Sequence, residues 1–567
     1  MARPEKIRLG EILLQQKLMS EEQLQFALAE QKRTGRKLGR LFVENGFVTE
    51  EQISSALARQ LNIPYLNLKQ TNIKPAAVRL LSEIQARRFR AIVLDDQEPA
   101  MLVGMADPTD LFAYDEITKL LKRSIVLAVV NETELLATID NVYRRTDEIT
   151  DFARELEQEL GETSVEFGSA GLAPGSEDAP VVKLLQSVFD DATQIRASDV
   201  HIEPQEKRLQ IRFRIDGVLH LQTEADAKIA GSLALRLKLM SDMDISEKRA
   251  PQDGRFVIKV RQQQIDVRIS TMPTQFGESI VMRLLNQGGG ALNLDRLGMP
   301  KAMLERFRSI IKRPNGLVLV TGPTGSGKTT TLYGALSELN TQEKKLITVE
   351  DPVEYRLPGV NQVQVNEKID LTFAKVLRAS LRQDPDVLLL GEMRDQETAQ
   401  IGMRAAMTGH LVLSTLHTND AVSTPIRLLD MGVPRYMMGS SLQAVLAQRL
   451  VRVICESCRQ VHSISPHERE WLSHDLLGQV DQHTYHAGRG CGHCNGTGYR
   501  GRIGVYELLE MTSPVVAATH NEDAAHFMRV AKQQMGGHTL RKHATELVLS
   551  GVTTVGEAMR ISNEQEE

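Results

Sequence analysis

The sequence predicts a multidomain α/β protein. Three observations carry that expectation: a helical pattern repeated at the N-terminus, two later stretches that alternate strand and helix signals, and a glycine-rich junction after a buried apolar run. At 567 residues the chain exceeds what one hydrophobic core holds, so several domains are expected. Its 41% hydrophobic and 25% charged residues are the composition of an ordinary soluble protein. Lys and Arg number 68 against 73 Asp and Glu, a net charge of −5, which argues against a chain whose main work is gripping nucleic acid. Apolar runs such as 387–390 are too short to span a bilayer, and the chain starts on an amphipathic pattern with no apolar signal segment. A cytoplasmic protein is expected.

Residues 1–62 carry an internal repeat at a spacing of 29: Leu9-Gly10 returns as Leu38-Gly39, Ser20-Glu21 as Thr49-Glu50, and Gln31 as Gln60. Each copy reads as a helix, a turn, a Ser or Thr N-cap and a second helix, so two helical hairpins make a small bundle. Residues 63–145 read as a small α/β subdomain, with strands near 91–94 and 99–106. From 146 to 178 the chain is acidic and then rich in Gly, Ser and Pro, the composition of a flexible linker. A second α/β unit covers 179–287, with alternating strands at 209–215 and 256–260. Glycines mark a hinge at 288–291, and 292–567 alternates strands and helices around a cysteine-bearing insertion at 455–494.

The apolar strand 316–320 runs into Gly322-Pro323-Thr324-Gly325-Ser326-Gly327-Lys328-Thr329-Thr330. Glycines at these spacings let backbone N–H groups turn inward onto phosphate oxygens, and the helix that follows adds a favourable dipole. Lys328 is placed to reach the β and γ phosphates of ATP and the Thr329 hydroxyl to hold Mg²⁺. Three further stretches offer hydrolytic groups. Glu350, Asp351 and Glu354 follow one apolar strand; Glu392 ends the strand 387–390, with Gly391 where Asp is usual; His410 and His417 bracket a third. Two Cys-x2-Cys pairs, Cys455/Cys458 and Cys491/Cys494, stand 32 residues apart. Four thiolates suffice for a closed, structural Zn²⁺ site, with disulfides or free thiols as the other readings.

In this order the boxes resemble the type II/type IV secretion ATPase superfamily, in particular the GspE/PilB family. The Walker A loop is followed by an aspartate box at 350–354, a Walker B box at 391–395 and a histidine box at 410–417, and the likeness extends over about 179–560. The resemblance implies a PAS-like N2 domain and a RecA-like P-loop core with a tetracysteine zinc module. It implies Glu354 as the water-activating carboxylate, Glu392 as the metal-side one and His417 as the γ-phosphate sensor. It further implies a homo-hexameric ring in which Arg268 and Arg283 reach the phosphates, with Arg378 and Arg382 beside them. Such motors work with an inner-membrane platform protein and associated cytoplasmic pilus or secretion components. The resemblance therefore implies a protein at the inner face of the inner membrane, attached through partners and without nucleic acid.

On pattern alone the N-terminal repeat is a duplicated hairpin that packs against itself or a partner. It also resembles the MshEN domain, which implies cyclic di-GMP as a regulatory ligand. The positions that match are Arg8, Leu9, Gly10, Leu13, Leu24, Leu28 and Gln31 in the first copy, Lys37, Leu38, Gly39, Ile53, Leu57 and Gln60 in the second, and Asp107 downstream. An Arg fork suits the guanine O6 and N7 acceptors, and Lys37 lacks that fork. Lys17 stands where the pattern prefers Gly, which the second copy keeps as Gly46. The implied function is a motor for assembly of a type IV pilus of the mannose-sensitive haemagglutinin kind, gated by cyclic di-GMP. A type II secretion motor, a DNA-uptake motor and a non-hydrolysing receptor are the alternatives.

Overall fold

The computed structural model describes residues 9–34, 38, 41–42, 45–71, 73–78, 80–96, 100–143, 146–162, 180–260, 263–286, 293–521 and 523–563. Two compact units emerge: 1–147 with 455–460 and 488–500, and the remainder of the chain. The expected multidomain α/β class is the observed one.

In the first unit the repeat forms helices Leu9–Gln15, Glu21–Thr34 and Glu50–Leu61. The Glu21 and Glu50 helices both open with reciprocal caps, Ser20 with Gln23 and Thr49 with Gln52, because each hydroxyl and each Gln satisfies a backbone N–H the helix start leaves open. Leu13, Leu24, Ala27, Phe42 and Ala56 make the small core. The repeat is also conformational: Lys17 and Gly46, one period apart, both sit in the left-handed region at φ 56° and 68°. Glycine takes that turn freely and lysine at a cost of roughly 1 kcal/mol, so the preference for Gly has a backbone cause. The α/β subdomain is a three-stranded sheet, β1 (Ala91–Asp95), β2 (Met101–Met105) and β3 (Ile125–Val129), with β2 in the middle, antiparallel to β1 and parallel to β3. It carries its own core around Ile92, Val103 and Ile117.

The second unit holds two large sheets among its described residues. One is six-stranded, β4 (Asp199–Pro204), β5 (Arg208–Ile215), β6 (Val218–Asp226), β7 (Gln252–Val260), β8 (Gln263–Thr274) and β9 (Gly277–Asn286), in the order β6-β5-β4-β9-β8-β7. Here the linker expectation needs correcting. Residues 146–162 form a helix, Thr146–Glu162, and Ile149, Ala153 and Leu156 enter the core of this sheet's domain beside Leu184 and Phe189. Its acidic surface masked an apolar stripe at helical spacing. The rest of the expected linker and the 288–291 hinge lie outside the described residues.

The other sheet contains β10 (Gly316–Thr321), β11 (Leu346–Glu350), β12 (Asn361–Gln364), β13 (Val387–Leu390), β14 (Leu411–Leu416) and β15 (Leu442–Ile454), completed by the strand Tyr499–Glu510. The order β12-β11-β13-β14-β10-β15 is parallel throughout, with helices between successive strands except β11 and β12, which a loop joins. Such strands are buried on both faces, which is why β13 and residues 316–320 of β10 read as apolar runs, while β14 buries Ser414 and Thr415 as well. Their carboxyl ends share one edge, where a ligand crevice forms.

Candidate functional site

The phosphate loop leaves β10 at that edge and enters the helix Lys328–Leu339. Gly322, Gly325 and Gly327 take φ of 145°, 80° and 87°, which an L side chain rarely adopts. The Lys328 ammonium folds onto the loop, donating to the carbonyls of Gly322 at 2.7 Å and Pro323 at 3.1 Å. Burial pulls its pKa down to about 8, against the pull of Glu392. A half-buried cation resting on two carbonyls has an unsatisfied preference for an anion. A polyphosphate meets it.

Four carboxylates are expected at the edge, and they differ in state. Glu350 is 3% exposed and already engaged, accepting hydrogen bonds from the Tyr333 and Thr348 hydroxyls and, at 3.3 Å, from the Gln362 amide. It fixes the strand end. Glu354 pairs with Arg268 at 3.1 Å, while the same guanidinium donates to the Val353 carbonyl at 2.6 Å. Glu392 accepts from Arg394 and lies 3.3 Å from the His417 ring nitrogen. Asp351 makes a long contact to Arg394, 3.9 Å. Gly391 stands where Asp is usual, because a Cβ there would lie 3.3 Å from both the Glu350 Cα and the Val349 carbonyl of the neighbouring strand.

The histidines part company. His417 follows β14 at the site edge. His410 precedes the strand, roughly 20 Å away for six residues in extended conformation, with its ring held against the Ala405 carbonyl at 3.0 Å. His410 is therefore a structural anchor and not a site residue. Arg378 pairs on the surface with Glu397, and Arg382 donates to the Arg378 carbonyl at 2.9 Å; neither touches a phosphate-site carboxylate among the described residues.

The arginines of the six-stranded sheet follow from register. Arg255 opposes Arg268, Arg268 opposes Arg283, Arg283 opposes Asp199 and Asp199 opposes Arg214. Directly opposed residues share a face, so four guanidiniums and one carboxylate form a row across five strands. Like charges so placed repel unless an anion joins them. Arg268 reaches Glu354; Arg283 is held by Asp199 at 3.0 Å. Arg283 therefore contacts its own sheet, and only Arg268 touches the phosphate-site edge.

Two residues escaped the sequence reading. Gln448 on β15, 2% exposed, donates its amide to the Ser326 carbonyl and accepts from the Thr331 hydroxyl, both at 2.7 Å. It staples the loop to the helix behind it. Arg449, also 2% exposed, donates to the Asn419 carbonyl at 2.8 Å. Two polar residues interrupting the apolar run of β15 were the available signal. Gln448→Leu is expected to raise KM for ATP about tenfold, since it strips one buried hydrogen bond from each side of the loop and leaves Ser326 and Thr331 unmet. Steady-state kinetics with a melting curve checks it, and an unchanged KM refutes the staple.

In the N-terminal repeat, Leu13 and Leu24 are core, whereas Leu28, Leu38 and Ile53 are partly buried against it. A Cβ on Gly10 would fall 2.6 Å from Leu24, so this glycine serves helix packing. Gln31, Leu57 and Gln60 are half-buried. Asp107, after β2, accepts from the Thr109 backbone at 3.1 Å. Arg8, Lys37 and Gly39 lie outside the described residues, as does the side chain of Leu9.

All four cysteines are buried, with Sγ atoms within 4.8 Å of one another. The Cys455–Cys491, Cys458–Cys494 and Cys491–Cys494 separations are each 3.8 Å. A disulfide needs about 2.05 Å, whereas sulfurs about 2.3 Å from a tetrahedral zinc lie about 3.8 Å apart. The four residues fit Zn²⁺, and backbone N–H groups of Cys491 and Gly498 already point at the Cys494 sulfur, each at 3.2 Å.

Comparison with known proteins agrees with this geometry. Residues 175–560 match the family model described as Type II/IV secretion system protein, and 61–149 match the MshEN domain. The type IV pilus assembly ATPase PilB of Myxococcus xanthus is 39% identical over 97% of this chain and 98% of its own length. The type II secretion system ATPase E of Vibrio cholerae is 41% identical over 87% of this chain and 99% of its own. The solved ATPase DotB of Yersinia pseudotuberculosis, 19% identical, covers 67% of this chain and 93% of its own with a TM-score of 0.51, a likeness of fold alone.

Proposed function

Because the chain belongs to the Type II/IV secretion system protein family of ATP-hydrolysing motors, we propose that it works as a cytoplasmic hexamer powering type IV pilus extension under control of cyclic di-GMP. The observation that carries this reading is the near end-to-end match to a pilus assembly ATPase, 97% of this chain, with an MshEN domain at 61–149. The 41% identity to a type II secretion ATPase keeps a secretion motor as the second reading. No described helix is long and apolar enough to cross a membrane, which suits a motor that acts through an inner-membrane platform protein.

The chemistry follows from the residues. ATP brings Mg²⁺, which the Thr329 hydroxyl and Glu392 would hold on this chain and which would neutralise charge on the phosphates. Lys328 exchanges its two carbonyl partners for phosphate oxygens. Glu354 takes the proton of the attacking water, which requires Arg268 to leave that carboxylate for the developing phosphoryl charge. His417 moves with Glu392 and so reports the γ-phosphate. Arg283 completes the charge only after leaving Asp199. An arginine row that must shift makes hydrolysis depend on domain closure and on the neighbouring subunit.

At the N-terminus, Arg8 and Gln31 meet guanine edges, and Lys37 gives the second copy weaker, phosphate-directed contacts. Arg8→Ala with Gln31→Ala is expected to weaken cyclic di-GMP binding at least about tenfold, from the loss of a charged hydrogen bond. Calorimetry on the full chain measures it, and undiminished affinity refutes these contacts. A strain lacking the chain is expected to lose surface pili and keep protein secretion; the reverse establishes the second reading.

A further inference from the structure

The two knuckle segments, 455–460 and 488–500, interrupt the ATPase sequence between β15 and the strand Tyr499–Glu510, yet they form one compact unit with residues 1–147. The cover comes from two places. The Ser457 hydroxyl donates to the Lys69 carbonyl, and the helix Glu132–Val142 packs on Gly492–Cys494. His493, 5% exposed, lies by the Leu68 backbone. A knuckle of this size cannot bury a histidine, a serine and four cysteines on its own. Its burial is the work of a neighbour.

That neighbour is braced for the role. The Asn67 side chain accepts from the Lys69 N–H at 2.9 Å and its carbonyl accepts from the Thr71 hydroxyl at 2.7 Å, so the loop presents the Lys69 carbonyl rigidly. The Leu66 N–H donates to the β3 residue Val129 at 2.9 Å, and Lys69 meets Glu134 of the covering helix at 3.5 Å. On the other side, the knuckle begins one residue after β15, the strand on which Gln448 staples the phosphate loop. One strand thus runs from the loop's support to the knuckle.

We propose that the tetracysteine knuckle is the seat of the N-terminal α/β subdomain and the joint through which a ligand on the repeat alters ATP turnover. The ligand named, cyclic di-GMP, rests on the function proposed above; the seat rests on the contacts just given. Zinc holds the seat's shape, and the loop 67–71 with the helix Glu132–Val142 reads it. The two sites need no contact with each other, only a shared element whose position both bias.

The test uses the full-length, zinc-loaded chain and the variant Ser457→Arg, which drives a long cation against Lys69 and leaves every cysteine in place. In the wild type, hydrogen exchange is expected to be slow at 66–71 and 132–142, and cyclic di-GMP to change turnover about fivefold or more. In Ser457→Arg, exchange at both segments rises and the cyclic di-GMP effect on turnover falls to about one. Bound zinc, basal turnover and cyclic di-GMP affinity stay at wild-type levels. If Ser457→Arg loses zinc, Ser457→Val asks the same question with less bulk. Fast exchange at 66–71 in the wild type, or a full cyclic di-GMP response in a variant with raised exchange, overturns the joint. A wild type that binds no cyclic di-GMP removes the receptor reading instead, and slow exchange lost in the variant still supports the seat.

Discussion

Lys328→Ala is expected to lower ATP turnover at least about a hundredfold without unfolding the protein, the magnitude seen when one preorganised charged donor is removed from a phosphoryl-transfer site. The reasoning is local. The ammonium is half-buried, its proton is held weakly with a pKa near 8, and among the described residues it donates to two carbonyls of its own loop. The alanine variant loses two hydrogen bonds that stand in for phosphate, so the empty protein melts close to the wild type. Phosphate release at saturating ATP measures the loss; unchanged turnover would sink the catalytic assignment.

The same lysine makes a signed pH dependence. Bound phosphates favour the ammonium, so the free site binds ATP evenly below about pH 8 and must take up a proton above it. Affinity then falls by up to about tenfold per pH unit. For the empty protein the sign is opposite. The unfolded lysine stays charged up to 10.5, so the penalty on folding is full below about pH 8 and is relieved as pH rises towards 10.5.

Cys491→Ser is expected to empty the knuckle. Cys491 lies 3.8 Å from both Cys455 and Cys494, so its loss opens two of the contacts that define the cluster. Structural zinc contributes on the order of 10–16 kcal/mol to small domains that cannot fold without it. Metal analysis is expected to fall from one zinc per chain to none, with new protease cleavage within 455–500. A variant that keeps its zinc and resists cleavage shows that three sulfurs suffice and refutes the closed four-thiolate site.

The phosphate loop, the clustered cysteines and the capped repeat were legible because each depends on neighbours in sequence. A loop that cradles phosphate needs glycines at fixed offsets, a knuckle needs two residues between thiols, and a helix start needs its cap. The helix at 146–162 reads as linker in sequence because its charged face dominates the composition while a narrow stripe of Ile149, Ala153 and Leu156 does the core packing. His410 pairs with His417 in sequence and not in space, because a strand's two ends are close along the chain and about 20 Å apart.

By itself the sequence determined a glycine-rich turn at Gly322–Thr329 between a strand and a helix, two Cys-x2-Cys pairs with the spacing of a four-thiolate site, and a capped helical pattern repeated near the N-terminus. All three are written in short-range backbone geometry. Only the tertiary structure decided that Arg268 reaches Glu354 while Arg283 is held by Asp199, that Gln448 supports the loop from a strand more than a hundred residues later, and that the knuckle groups with the N-terminal unit. Strand register and sheet order set those juxtapositions, and a one-residue slip in pairing would turn each side chain to the other face.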